Sequence, residues 1–61
     1  MNKDLKAFDM FGREVLINGV YTCSVSDDYY IITNIKGDNY VIGEKLNKDH
    51  EVIELDANTL Y

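Results

Sequence analysis

Apolar and polar residues alternate with a period close to two along most of this chain, the signature of half-buried β-strands. Val20 to Val25 sets Tyr21, Cys23 and Val25 on one face against Val20, Thr22 and Ser24 on the other. Tyr29 to Ile35 groups Tyr29, Ile31 and Ile35 opposite Tyr30, Ile32 and Asn34. Tyr40 to Leu46 places Tyr40, Ile42 and Leu46 together, with Glu44 among them, and turns Val41, Gly43 and Lys45 the other way. Glu51 to Leu55 points Ile53 and Leu55 inward, with Glu54 and Asp56 outward, and Arg13 to Ile17 is a shorter strand. These runs are rich in β-branched and aromatic residues, which suit a pleated surface.

Turn signals separate the strands at intervals of about ten residues, the rhythm of a small all-β domain. Asp9-Met10-Phe11-Gly12 has Asp to bond its own backbone and Gly to tolerate positive φ. Asn18-Gly19 is a strong two-residue turn signal. Ser26-Asp27-Asp28, Lys36-Gly37-Asp38-Asn39 and Asn47-Lys48-Asp49-His50 supply the next three. Asp56-Ala57-Asn58 reads as one tight turn before a short closing strand, Thr59 to Tyr61. Leu5 to Phe8 forms a lid or a short pairing strand, because so short a segment has little helical stability of its own.

Five short antiparallel strands bury one face most economically by bending into a nearly closed barrel. The expected architecture is therefore all-β: one domain over residues 1–61, a five-stranded antiparallel barrel with a short N-terminal segment. Its expected core is Val15, Ile17, Tyr21, Cys23, Val25, Ile31, Ile35, Ile42, Ile53, Leu55 and Leu60.

The run from Phe8 to Tyr21, an acidic turn ending at Gly12, a short strand and then Asn18-Gly19, resembles the opening of small SH3-like barrel proteins encoded by tailed phages. The later hairpin at Gly37-Asp38, the alternating strand at Glu51 to Leu55 and the tight turn before Thr59 follow the same layout. One departure is visible: Val20 stands where Asp usually follows the glycine. The resemblance implies an SH3-like barrel but little about function, since such folds host many roles. Signalling domains that bind proline-rich peptides are a poor match, because Trp and Pro are both absent.

With 61 residues and a net charge of −5, the chain is small and acidic. Nucleic-acid binding draws on Lys and Arg against phosphates, and every base here has an acid within three positions, so that partner is disfavoured. No apolar run approaches the roughly 18–20 residues of a membrane span, and no export signal is visible, which makes the cytoplasm the expected location. Heavy use of Asn, Ile, Lys and Tyr, with Arg13 the single arginine, suits an AT-rich genome such as that of a phage or low-GC bacterium.

Chemistry is sparse. Cys23 cannot form an internal disulfide, and Cys23 with His50 is too few for a zinc site. As a nucleophile–base pair they are poorly placed, one on an inward strand face and the other in a polar loop. Asp27-Asp28, Asp38 and Asp49-x-Glu51 lack the dense spacing of a calcium loop. No cofactor, metal or catalytic residue is therefore expected. With Tyr29 packed inside, Tyr30 projects outward beside Asp27 and Asp28, and this trio is the candidate protein-binding patch.

The leading expectation is a non-catalytic module that binds and inhibits or adapts a host or phage protein, as a monomer or small homo-oligomer. A nucleic-acid regulator using Tyr30, Tyr40, Lys36 and Lys45, and a structural subunit assembling through barrel edges, are the alternatives.

Overall fold

The computed structural model describes residues 5–46 and 49–61. Lys3, Lys48 and the first half of the turn expected at Asn47 to His50 lie outside them. The chain is all-β, with one antiparallel sheet of four strands in the order β1-β2-β3-β4. These are β1 (Val20–Thr22), β2 (Tyr29–Gly37), β3 (Tyr40–Lys45) and β4 (Val52–Asp56). A 3-10 turn, Ala57–Thr59, follows β4, where the sequence places its last tight turn. Asp56 caps it, its carboxylate accepting from the Asn58 N–H at 3.0 Å.

The sheet is open, and the fifth strand and barrel closure expected from the pattern go beyond it. Arg13 to Ile17 contributes one bridge, Glu14 to Phe8. Val20 to Val25 stops pairing in β2 register after Thr22, because the chain turns at once: Asp27 N–H donates to Cys23 O at 2.7 Å. That turn leaves Val25 exposed, not in the core. Thr59 to Tyr61 returns alongside β1, with a bridge at Cys23–Leu60 and paired bonds between Thr22 and Tyr61 of 2.9 and 3.0 Å.

Turn chemistry follows the sequence closely. Asp38 and Asn39 both have positive φ, 53° and 65°, which is what a two-residue hairpin matched to strand twist demands. The turn at Leu16 to Gly19 sits one residue earlier than Asn18-Gly19 suggests. Asn18 (φ 70°) takes the positive-φ position, and Gly19 N–H closes the turn on Leu16 O at 3.1 Å. Gly19 is needed for space: a Cβ there would stand 2.8 Å from the Tyr21 ring, which folds back so that its hydroxyl accepts from Leu16 N–H. This turn carries Ile17 out to solvent, so Ile17 also leaves the expected core.

The core itself is assembled from the opposite faces of β2 and β3 to those expected. Tyr30, Ile32 and Val41 are buried with Ala7, Val15, Cys23, Leu55, Ala57 and Leu60. Ile31 and Ile42, expected inside, are only half-buried on the other face. Two causes act together. The β2–β3 register slips between Ile32 and Asn34, so Thr33 is an extra residue that shifts the alternation. Ile32 and Ile35 thereby share a face although they are three apart. In β3, Gly43 leaves a hollow filled by Tyr30 and Leu55: an added Cβ would lie 2.8 Å from Leu55 Cδ1 and 3.2 Å from Tyr30 Cβ. The same choice of face turns the charged Glu44 away from the core.

Candidate interaction surface

The trio Asp27, Asp28 and Tyr30 is not brought together on the surface. Tyr30 is 3% exposed and its neighbour Tyr29 60%, so the aromatic at this edge is Tyr29. Asp28 lies 3.2 Å from Lys45 Nζ, and this hydrogen bond and charge raise the Lys45 pKa. Asp27, at φ 63°, occupies the tip of the tight loop and is exposed. Expecting Tyr30 outside fails because the Thr33 bulge and the Gly43 hollow reverse the strand's faces.

The residues named for nucleic-acid contact are likewise dispersed. Lys36 pairs with Glu54 at 3.5 Å, and Lys45 is shared between Asp28 and Glu51. Tyr40 is exposed, but Tyr30, its intended companion, is in the core.

A different surface is built by the loop from Leu5 to Gly19. Its organiser is Asp9, a buried charged residue at 3% exposure. The carboxylate accepts from the backbone N–H groups of Phe11 (2.9 Å) and Arg13 (3.0 Å), and the Arg13 guanidinium stands 3.6 Å away. Hydrogen bonding by the Arg13 N–H chiefly holds the Asp9 carboxyl below its ordinary value, with the Phe11 N–H and the Arg13 charge adding to it against burial. Asp9 O also takes the Gly12 N–H at 2.9 Å, and Gly12 reaches φ 79°. On the other side, the Asn39 side chain serves Phe8 as a strand would, accepting its N–H at 2.7 Å and donating to its carbonyl at 3.1 Å.

So fixed, the turn thrusts Phe11 into solvent at 65% exposure. Its ring meets Tyr61 edge-on, centroids 6.4 Å apart, while the Arg13 guanidinium lies 5.3 Å from its centre. Two shallow grooves share Glu14 and Leu16. One is lined by Leu5, Ile17 and Ile35, the other by Val20, Tyr21 and Tyr61. The sequence contained a signal for this face: an aromatic between Asp9 and Gly12, inside a four-residue turn, has no core to enter.

Cys23 and His50 have different partners. Cys23 Sγ faces Thr59 Oγ1 at 3.7 Å, and His50 Nδ1 lies 2.9 Å from Glu44. Burial pushes the Cys23 thiol up, but the Ser26 N–H and hydroxyl, the Val25 N–H and Thr59 outweigh it and leave the thiol below its ordinary value. Among the described residues no three His, Cys, Asp or Glu side chains gather as a metal site, and no helix is long and apolar enough to cross a membrane.

No family model, characterised protein or solved structure matches this chain.

Proposed function

We propose that this protein is a small, acidic, non-catalytic interaction module of phage origin, which binds a host or phage protein in the cytoplasm and inhibits or adapts it. An SH3-like barrel reading belongs to this proposal. It is supported by the return of Thr59 to Tyr61 onto β1 after the 3-10 turn.

One observation carries the proposal: Phe11 and Leu16 are exposed on the loop from Leu5 to Gly19, Tyr61 from the chain's return lies against Phe11, and Asp9 fixes from within the turn that carries Phe11. Single exposed apolar residues are ordinary on a protein surface, whereas contact sites cluster aromatics with arginine. Preorganisation matters as much as area, because a loop already ordered loses little further entropy on binding. The net charge of −5 favours partners whose contact surface is basic, since complementary potentials steer encounter.

The test is capture of binding proteins from a bacterial lysate by tagged wild-type protein and by Phe11→Ser/Leu16→Ser, with and without nuclease. A stoichiometric protein that survives nuclease and is lost with the double variant supports this face as the contact. Capture unchanged by the double variant removes it, and recovery that collapses with nuclease favours the nucleic-acid regulator.

A further inference from the structure

The sheet stops at β4, and it stops in the middle of a core row. Ile32, Gly43 and Ile53 stand in register across β2, β3 and β4. The first two are buried, but Ile53 is 36% exposed because, among the described residues, no strand lies beyond it. The backbone tells the same story. Lys45 N–H bonds Glu51 O at 2.7 Å and Ala57 N–H bonds Asn39 O at 2.9 Å, at the two ends of an unbroken β3–β4 register. Antiparallel alternation therefore points the amides and carbonyls of residues 51, 53, 55 and 57 toward β3, and those of Val52, Glu54 and Asp56 away from it. The carbonyl of Asp56 agrees: it is taken by the Thr59 hydroxyl at 2.6 Å. Among the described residues, none bonds the outward backbone groups of Val52 or Glu54.

We infer that this edge of β4 is a docking site for a basic, extended segment of another protein, which adds to the sheet as a further strand. The occupant's chemistry follows from the edge. Glu51, Glu54 and Asp56 line it; Lys36 pairs with Glu54 and Lys45 is shared between Glu51 and Asp28, so four carboxylates stand against two lysines and the edge keeps a net negative charge. A second copy paired antiparallel about Glu54 would set that carboxylate against its own equivalent, and like charges directly opposite on a strand pair are destabilising. A strand alternating Lys with Val instead places its lysines beside Glu54 and Asp56 and its valines beside Ile53, completing the row. This site is separate from the Phe11 face and does not depend on it.

The probe is a capped heptapeptide of alternating Lys and Val, titrated into the full-length ¹⁵N-labelled protein. Its controls replace Lys by Glu, or Val by Gly. Expected are saturable amide shifts centred on Val52 to Glu54, and affinity at least about tenfold lower for each control. Val52→Pro removes one outward donor at the first residue of an edge strand, where proline is tolerated, and weakens binding by about fivefold or more. A spectrum of Val52→Pro that keeps wild-type dispersion shows the fold is intact; Glu54→Gln, which keeps the strand's shape, weakens binding in parallel. Phe11→Ser leaves peptide binding unchanged, which separates this site from the contact face proposed above.

Equal binding of the Lys–Gly peptide would reduce the effect to diffuse charge attraction and overturn the inference. So would shifts lying away from β4, or no binding at low salt. Sedimentation showing a dimer that Val52→Pro dissolves would give the edge to a second copy instead.

Discussion

Tyr29 and Tyr30 are the same residue one position apart, yet one is largely in water and the other is sealed in the core. The contrast extends over the sheet. One face carries Tyr30, Ile32, Val41 and Leu55; the other carries Tyr29, Ile31, Ile42 and Val52, scarcely less apolar. What separates them is what lies above. The first face is covered by Ala7 and Val15 from the N-terminal loop and by Ala57 and Leu60 from the chain's return. Among the described residues, the second is crossed by side chains of its own strands, such as the Lys36–Glu54 pair spanning β3. Hydrophobic composition alone does not choose a core; the availability of a cover does.

Removing the larger buried side chain breaks this contrast most sharply. Tyr30→Ala is expected to cost about 3–5 kcal/mol, against about 0.5 kcal/mol or less for Tyr29→Ala. Since a core of this size supplies only about 3–5 kcal/mol in all, Tyr30→Ala is expected to be largely unfolded at room temperature. Urea titration followed by far-ultraviolet circular dichroism measures both. Equal losses would mean that the two faces are not distinct.

A second pair tests the bulge. Ile32→Ala should cost about 2–5 kcal/mol, and Ile31→Ala, half-buried on the other face, about 1 kcal/mol. If Ile31 proves the costlier, Thr33 is not the extra residue and the strand runs in its unbulged phase.

Smaller still is the effect of filling the hollow. Gly43→Ala is expected to destabilise by about 1–3 kcal/mol through overpacking. The contact it meets first is the end of a flexible side chain, Leu55 Cδ1. Gly43→Ala combined with Leu55→Val should therefore lose less than the two single changes added together, a coupling of about 0.5 kcal/mol or more by double-mutant cycle. Strict additivity would show that Gly43 is not held by Leu55.

The most modest change concerns the loop that covers the inner face. Asp9 has a folded pKa below its ordinary 3.8, so unfolding in acid takes up a proton there. Its contribution is fully present above the ordinary value and is lost as pH falls through the lowered folded value. Thermal midpoints measured from pH 6 down to pH 2 should thus fall on acidification below about pH 4. In Asp9→Asn, that part of the fall should be missing. An identical acid profile in the variant would assign the loss to other carboxylates.

Much of the fold was legible along the chain. Asp9 to Gly12, Asn18-Gly19, Gly37-Asp38 and Asp56 to Asn58 all mark turns that the structure makes, to within a residue. Val15, Cys23, Leu55 and Leu60 enter the core as their strand positions suggest, with Tyr21 and Ile35 packed against it. The proposed contact face was less legible. Tyr30 drew attention because it stands beside two aspartates, whereas Phe11 carried the better signal, a large ring inside a turn too tight to bury it. The β4 edge was invisible for another reason: which strand ends a sheet depends on pairing between distant segments.

What the sequence by itself determined is therefore local: an all-β chain, the places where it reverses, and the two candidate faces of each strand. Backbone preferences of Gly, Asn and Asp act within three or four residues, so they can be read there. The tertiary structure alone decided which face is inside. Alternation supplies two nearly equivalent answers, and a single extra residue at Thr33 exchanges one for the other. The choice falls to contacts far apart in sequence, Gly43 under Tyr30 and Leu55, and Ala7 and Leu60 brought in from the two ends of the chain.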